Sequence, residues 1–338
     1  MLQNYFFLNR FLLEIKSFLE DSKIEEVFSQ EKSKLVIVTS KKIDIFYLEF
    51  CVIPGNSYLN LRKNYSRAKK NTVNFFDDLI GEKITSLEIA DNDRVVKINC
   101  ANLRIFFAIR GKFTNVFYID KVEKPHAFKS LNVQELLNIK TELSEKTFLD
   151  GWNALVIQQD NSEDLIADIR KKYPFLGNEI VKEVKARINE YDRDTVINNF
   201  YEVLNEVKFS KPCVFINEAE QDVHIGFKKF ISIPFTEKKI FESITEAVNF
   251  CLSKKHYLTY KYSKLKLIKN HLEREMKKVS AKINNLQAVI ERGSKEDDYN
   301  KYGNLLLSNL GSIKSRMNSI VVEDFISGGG KIKIDLNP

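Results

Sequence analysis

The sequence predicts an α+β protein that ends in a long coiled-coil helix, and three observations carry that expectation. Short β-like runs separated by turn signals fill residues 1 to about 125, helical patterning dominates about 130 to 210, and an apolar heptad seam begins at Leu265. With 338 residues, 43% apolar content, 12 Gly and 6 Pro, the chain is long enough for two or three domains and reads as globular rather than disordered. The expected division is an α+β domain over 1–128, a helical domain with a small β hairpin over 129–252, and the first half of a coiled-coil arm with its tip over 253–338.

The opening stretch MLQNYFFLNRFLLEIKSFLE is apolar, but Arg10, Glu14 and Lys16 interrupt it at helical spacing and no small-residue cleavage site follows. It therefore reads as an amphipathic helix, not a signal peptide or membrane anchor. The β-like runs are KLVIVTS (34–40), KIDIFYLEF (42–50), ITSLEIA (84–90), RVVKINC (94–100), LRIFFAIR (103–110) and NVFYID (115–120). The turn signals PGN, DND, CAN and RGK lie between them, which suggests largely antiparallel sheet. RKNYSRAKKNTVNFFDDLIG follows the second run and ends in a short helix. LIADIRKKYPFLGNEIVKEVKARI reads as two helices broken at Pro174 and Gly177, KPCVFIN to ISIPF as a hairpin, and FESITEAVNFCLSKK as a helix start with Glu242 and Glu246 in its first turns.

The seam comprises Leu265, Ile268, Leu272, Met276, Val279, Ile283, Leu286 and Ile290, spaced 3, 4, 4, 3, 4, 3, 4. That is a heptad repeat with one four-residue stutter, and such a helix wants a partner. After Gly293 the sequence turns to KYGNLLLSNL, strand-like VVEDFI, GGG and KIKIDLNP, with no returning helix. The partner helix is expected in a missing C-terminal half; packing on the body or on another copy is the alternative.

Charge is concentrated on the same helix. Between Ser253 and Lys282 ten Lys and Arg face only Glu273 and Glu275, an excess of eight that exceeds the whole-chain net charge of +7. A nearly neutral protein with one basic helix has a polyanion-binding element, here Lys264, Lys266, Lys269, Arg274, Lys277 and Lys278. A second basic stretch, RKNYSRAKK, sets Arg62, Lys63, Arg67, Lys69 and Lys70 around Tyr65; cations with an interleaved aromatic suit a phosphate backbone and an unpaired base, and a solvated loop is the alternative. In DNDRVVKINC, Asp93 and Arg94 stand where a strand leaves a turn. Arginine offers a planar fork for phosphate or a base edge, and an adjacent carboxylate can orient it. The alternative is a surface ion pair worth about 0–1 kcal/mol, and replacing both residues is expected to leave the fold nearly intact.

The four cysteines, Cys51, Cys100, Cys213 and Cys251, are far apart and embedded in apolar sequence, which predicts reduced, buried thiols in a cytosolic protein, with no metal site. His126, His224, His256 and His271 form no Ser/His/Asp or HExxH spacing, and GGG at 328–330 reads as a flexible turn.

The order of elements resembles the NFACT family, ribosome-associated quality-control factors whose bacterial members are often labelled fibronectin-binding proteins. The landmarks are the opening helix with KIEEVFSQEKSKLVIV, LIGEKITSLEIADNDRVVKI, FFAIRGKFTNVFYID, PFLGNEIVKEV, IFESITEAVNF, YGNLLLSNL and IKIDLNP, which together span nearly the whole chain. The resemblance implies a mixed-sheet first domain like that of formamidopyrimidine-type DNA glycosylases, a helix-hairpin-helix-like domain and half of a coiled-coil arm. It places a tRNA-binding pair on Asp93 and Arg94; the loop cations Arg62, Lys63, Arg67, Lys69 and Lys70, read from the residues themselves, are expected to compensate where the chain departs from the family pattern. Asn4 replaces the acidic residue the family carries near its N-terminus, and NFFDDLIG replaces a basic stretch.

Those glycosylases attack with an N-terminal proline amine assisted by the next glutamate, whereas this chain begins Met1-Leu2-Gln3, so no catalysis and no cofactor are expected. The expectation is a cytoplasmic, non-enzymatic factor. It would bind tRNA and the large ribosomal subunit carrying a stalled nascent chain, and serve template-free tailing. The rival is an adhesin or protein-interaction module gripping its partner with the coiled coil.

Overall fold

The computed structural model describes residues 1–152, 157, 165–188 and 192–336. The helical expectation over 153–156, 158–164 and 189–191, and the last two residues of IKIDLNP, lie outside the described residues. The chain folds as two compact units, Met1–Tyr260 and Lys261–Pro338, the first holding both segments expected as separate domains.

Helix α1 (Tyr5–Leu19) starts on Asn4, whose Oδ1 accepts from the backbone N–H of Phe6 and Phe7. Nine of its fifteen residues are buried, because more than one layer covers it. Two of its charged residues cap other helices. Arg10 donates to the carbonyls of Val207 (2.7 Å) and Ser210 (2.6 Å), and Glu14 accepts from Ile244 N (2.7 Å) and Thr245 N (2.9 Å).

Two antiparallel sheets follow. Strands β1 (Lys23–Glu31), β2 (Lys34–Lys41), β3 (Asp44–Cys51), β4 (Tyr58–Arg62) and β5 (Val73–Asn74) form the first, in the order β4-β3-β2-β1-β5. Strands β6 (Ile84–Ala90), β7 (Val95–Cys100), β8 (Arg104–Ala108), β9 (Asn115–Ile119) and β10 (Pro125–Ala127), then helix α2 (Val133–Glu145) and β11 (Phe148–Leu149), complete the second, ordered β10-β9-β8-β7-β6-β11. Strand alternation sorts the side chains. Phe107 meets Phe50 of the first sheet edge-on at 5.4 Å, while its neighbour Phe106 joins Val95, Phe117 and Leu143 of α2 in a core on the opposite face. The short helix expected near LIG is a 3-10 turn, Asp77–Leu79.

Helices α3 (Leu165–Lys172), α4 (Gly177–Arg187) and α5 (Arg193–Phe209) bear out the break at Pro174 and Gly177. The expected hairpin, β12 (Pro212–Asn217) with β13 (Asp222–Phe227), gains a third strand, β14 (Glu237–Ile240). Every named pairing in these sheets is antiparallel, so the mixed sheet implied by resemblance is corrected to an antiparallel one.

Helix α6 runs Ile244–Ser308 without a stop at Gly293, and Glu242 precedes it, paired instead with Lys211 at 2.6 Å. Ile244, Ala247, Val248, Cys251 and Leu258 bury its first turns in the first unit. In the second unit its far end packs Leu305 against a hairpin of β15 (Ser319–Asp324) and β16 (Gly330–Asp335) through Ile320, Val322 and Ile334. All eight seam residues are exposed, from 48% at Leu265 to 72% at Ile290. No described helix is long and apolar enough to cross a membrane, and no described group of His, Cys, Asp or Glu could hold a metal ion.

Candidate nucleic-acid interface

The turn at 91–94 closes on Asn92, whose φ of 55° is the left-handed conformation that asparagine tolerates. Asp93 and Arg94 do not pair through their side chains. Asp93 Oδ1 accepts from the backbone N–H of Arg94 at 2.7 Å, and Oδ2 faces the Lys146 ammonium at 2.8 Å and the Arg110 guanidinium at 3.5 Å. Arg110 also grips Glu142 with both terminal nitrogens at 2.6 Å, and Lys146 lies 3.4 Å from the same carboxylate. Burial pushes the Asp93 carboxyl up, but Lys146, the Arg94 N–H and Arg110 together bring it below the ordinary value. Burial likewise opposes and Arg110 prevails at Glu142. Asp93 is thus one member of a four-residue charge cluster that locks β7 to the end of α2.

Arg94 is left available. The residue is half-buried, and its guanidinium makes no hydrogen bond or close ion pair among the described residues. Its charge nonetheless reaches Glu179 in the first turn of α4. Burial raises that carboxyl, while the Met1 ammonium at 3.2 Å, the backbone and Arg94 hold it below the ordinary value. Beside it Gly177 takes φ +75°, and a Cβ there would stand 2.7 Å from Asn4 Nδ2, which donates to the Leu176 carbonyl at 2.7 Å. Asn4 therefore both caps α1 and tethers it to the turn before α4, work for which an aspartate lacks the donor.

In the basic loop the cations divide. Arg67 is consumed, with Glu26 at 2.6 Å, Asn74 at 2.7 Å and the Phe28 ring at 4.4 Å. Arg62 leans 3.6 Å from Glu49 and 5.8 Å from the Tyr65 ring. Tyr65 stacks on Tyr47, its hydroxyl accepts from Gln30, and burial with the nearby Glu49 charge pushes its phenol up to about 12. Lys63, Lys69 and Lys70 are exposed. Arg62 and Tyr65 line a groove of about 940 Å³ in the first unit, walled on its other sides by Met1, Glu179, His224 and Lys255. Glu179 carries no signal in the sequence, because no local pattern singles it out, and Lys255 is there only one cation of the basic run between Ser253 and Lys282, with nothing to set it apart from its neighbours.

On α6, Lys264, Lys266, Lys269, Arg274, Lys277 and Lys278 are all exposed. Lys278 pairs with Glu275 at 2.7 Å and Lys269 with Glu273 at 4.0 Å, while Lys266, Arg274 and Lys277 have no acidic partner among the described residues.

A family model for the NFACT N-terminal and middle domains matches residues 4–338. The chain belongs to the NFACT family. Among solved structures, the fibrinogen binding protein from Staphylococcus aureus is similar in fold, with a TM-score of 0.52 at 18% identity over 74% of this chain and 98% of that one. The N-terminal part of the fibronectin/fibrinogen-binding protein from Streptococcus suis aligns with a TM-score of 0.49 at 17% identity, over 73% and 97%. No curated protein matches the chain. Within this NFACT fold, Asp93, Arg94 and the 62–70 loop belong to the first compact unit, and the six cations of α6 to the second.

Proposed function

We propose that this chain is a non-enzymatic RNA-binding factor of the cytoplasm. It holds tRNA on the first unit and the large ribosomal subunit with a stalled nascent chain, and so serves template-free tailing in ribosome-associated quality control. Membership of the NFACT family carries the proposal. The Arg94 guanidinium, free of hydrogen bonds among the described residues, and the exposed Lys63, Lys69 and Lys70 give the first unit donors that phosphate or a base edge can take. The cations of α6 supply sequence-independent backbone affinity. The seam takes a second long helix with its own apolar repeat. The test is a titration with tRNA and with an unstructured RNA of equal length, together with co-sedimentation with large subunits. Preference for tRNA and co-sedimentation support the proposal; equal affinity for both RNAs with no co-sedimentation overturns it.

A second reading, a protein-binding module, is favoured by the uncovered seam. Immobilised fibrinogen or fibronectin capturing the wild-type chain but not a Leu272→Ser/Ile283→Ser variant would support it.

A further inference from the structure

The groove on the first unit is electrically unfinished. Its acids are matched: Glu49 accepts from the Tyr58 hydroxyl at 2.6 Å and faces Arg62, Glu179 faces the Met1 ammonium, Asp222 contacts His224 at 2.6 Å, and Glu31 holds Lys34 at 2.8 Å. Two donors are left over. Lys255, half-buried on the α6 wall, has no counter-ion among the described residues. Arg62 Nε is buried with no acceptor among the described residues. Native proteins leave few such groups, so a buried donor beside a groove is a point where a ligand or water oxygen can accept. The rim is preorganised, since Gln30 receives the Ala68 N–H at 2.8 Å and donates to Tyr65, while Arg67 pins the loop from beneath. At about 940 Å³ the space is far larger than an inorganic anion needs and lies within the range of about 300–1,000 Å³ for small-ligand sites.

From this we infer that the groove is a binding site for a single nucleoside monophosphate unit, its phosphate taken by Lys255 and Arg62 and its base placed against the Tyr65 wall. Choosing a nucleotide over other organic phosphates rests on the RNA-binding proposal above. The unit can come from an unpaired nucleotide of RNA or from a free nucleotide. Asn56, Asn64, Ser253 and Thr259 around the lining offer both donors and acceptors for ribose and base edges.

The full chain is titrated by calorimetry with the four nucleoside 5′-monophosphates, the matching nucleosides, inorganic phosphate and tRNA, for wild type, Lys255→Ala and Arg62→Lys. Lys255 holds no counter-ion among the described residues, so its variant should melt as wild type does; Arg62→Lys keeps a charge beside Glu49 and changes the donor fork. Saturable binding of at least one monophosphate is expected, weakened roughly tenfold or more by Lys255→Ala and absent for the nucleoside. If Lys255→Ala weakens tRNA by the same factor, the nucleotide is RNA-borne. If tRNA does not bind at all while a monophosphate does, the site stands for a free nucleotide and the tRNA proposal falls. The inference is overturned if no monophosphate saturates wild type, if inorganic phosphate binds as tightly as the nucleotide, or if Lys255→Ala binds like wild type; tRNA binding that persists in those cases leaves the RNA proposal standing.

Discussion

Asp93 and Arg94 are adjacent in sequence but have separable jobs, so single substitutions should part stability from binding. Asp93→Ala removes the acceptor for the Arg94 N–H and the contact with Lys146, while Arg110 and Lys146 keep Glu142 and are not stranded. The loss is that of hydrogen bonds to a half-buried charge, about 1–2 kcal/mol, rather than the 3–5 kcal/mol of a fully buried pair left one-sided. That corresponds to a melting temperature lower by roughly 2–8 °C. Arg94→Ala loses no side-chain hydrogen bond to any described residue and should change stability by less than about 0.5 kcal/mol. Its cost falls on tRNA, about 1–3 kcal/mol or roughly five- to a hundred-and-fifty-fold in affinity. Thermal melts alongside fluorescence anisotropy with labelled tRNA read both effects. An Arg94→Ala protein that melts as low as Asp93→Ala with unchanged tRNA affinity would refute the division. From sequence, replacing both residues is expected to leave the fold nearly intact; the contacts of Asp93 with Lys146 and Arg110 make it the costlier of the two to remove. The pH dependence has a fixed sign: the folded Asp93 and Glu142 carboxyls lie below their ordinary values, so their stabilisation is present above about pH 4 and disappears as pH falls through the folded values. Wild type and Asp93→Asn should therefore converge in acid.

The same geometry sets the outcome of other substitutions. Replacing Lys264, Lys266, Lys269 and Lys277 by alanine should flatten the dependence of log affinity on log salt by about 0.7–0.9 for each phosphate no longer neutralised, and an unchanged slope in filter binding would make α6 a protein-contact arm. Asn4→Asp keeps the helix cap but loses the donor to Leu176, so it should be less stable by about 1–3 kcal/mol in a denaturant melt and gain no tRNA affinity. Gly177→Ala should cost a similar 1–3 kcal/mol or so in the same melt, from its φ of +75° and the crowding of Asn4. Duplex DNA carrying an oxidised base should be neither cleaved nor trapped by borohydride; a covalent adduct would overturn the non-enzymatic assignment.

The parts of the fold legible in the sequence are those that repeat. Alternation along RIFFA places Phe106 and Phe107 on opposite faces, and Pro174 with Gly177 breaks a helical pattern at the observed place. Strand β1 is hidden because KIEEVFSQE carries charges on both faces, its outer side being part solvent and part loop. The caps by Arg10 and Glu14 join residues 197 to 231 positions apart, and nothing periodic announces such a contact. The basic loop shows the same limit at the candidate site. Arg67 and Lys69 look alike in sequence, but Asn74 and Glu26 occupy the first and leave the second in solvent.

The long helix joins two requirements that a single occupant has to meet. Adjacent helical positions are about 100° apart, so Lys264 and Lys266 flank Leu265, Lys269 flanks Ile268, Lys277 flanks Met276, Lys278 flanks Val279 and Lys282 flanks Ile283. A helix lying in the seam therefore brings its own edge positions against lysines, and acidic residues there would be favoured. The stutter, where Ile268, Leu272 and Met276 are spaced 4 and 4, unwinds the supercoil locally and so has to be matched at the same level by the partner. Such a partner takes the inward-leaning cations and leaves the outward face to polyanions. Arg274, separated from Leu272 and Met276 by two positions each, lies about 200° from both and stays on that outward face however the seam is filled. The part of α6 open to the proposed RNA contact is then narrower than its count of cations suggests, with Arg274 at its centre.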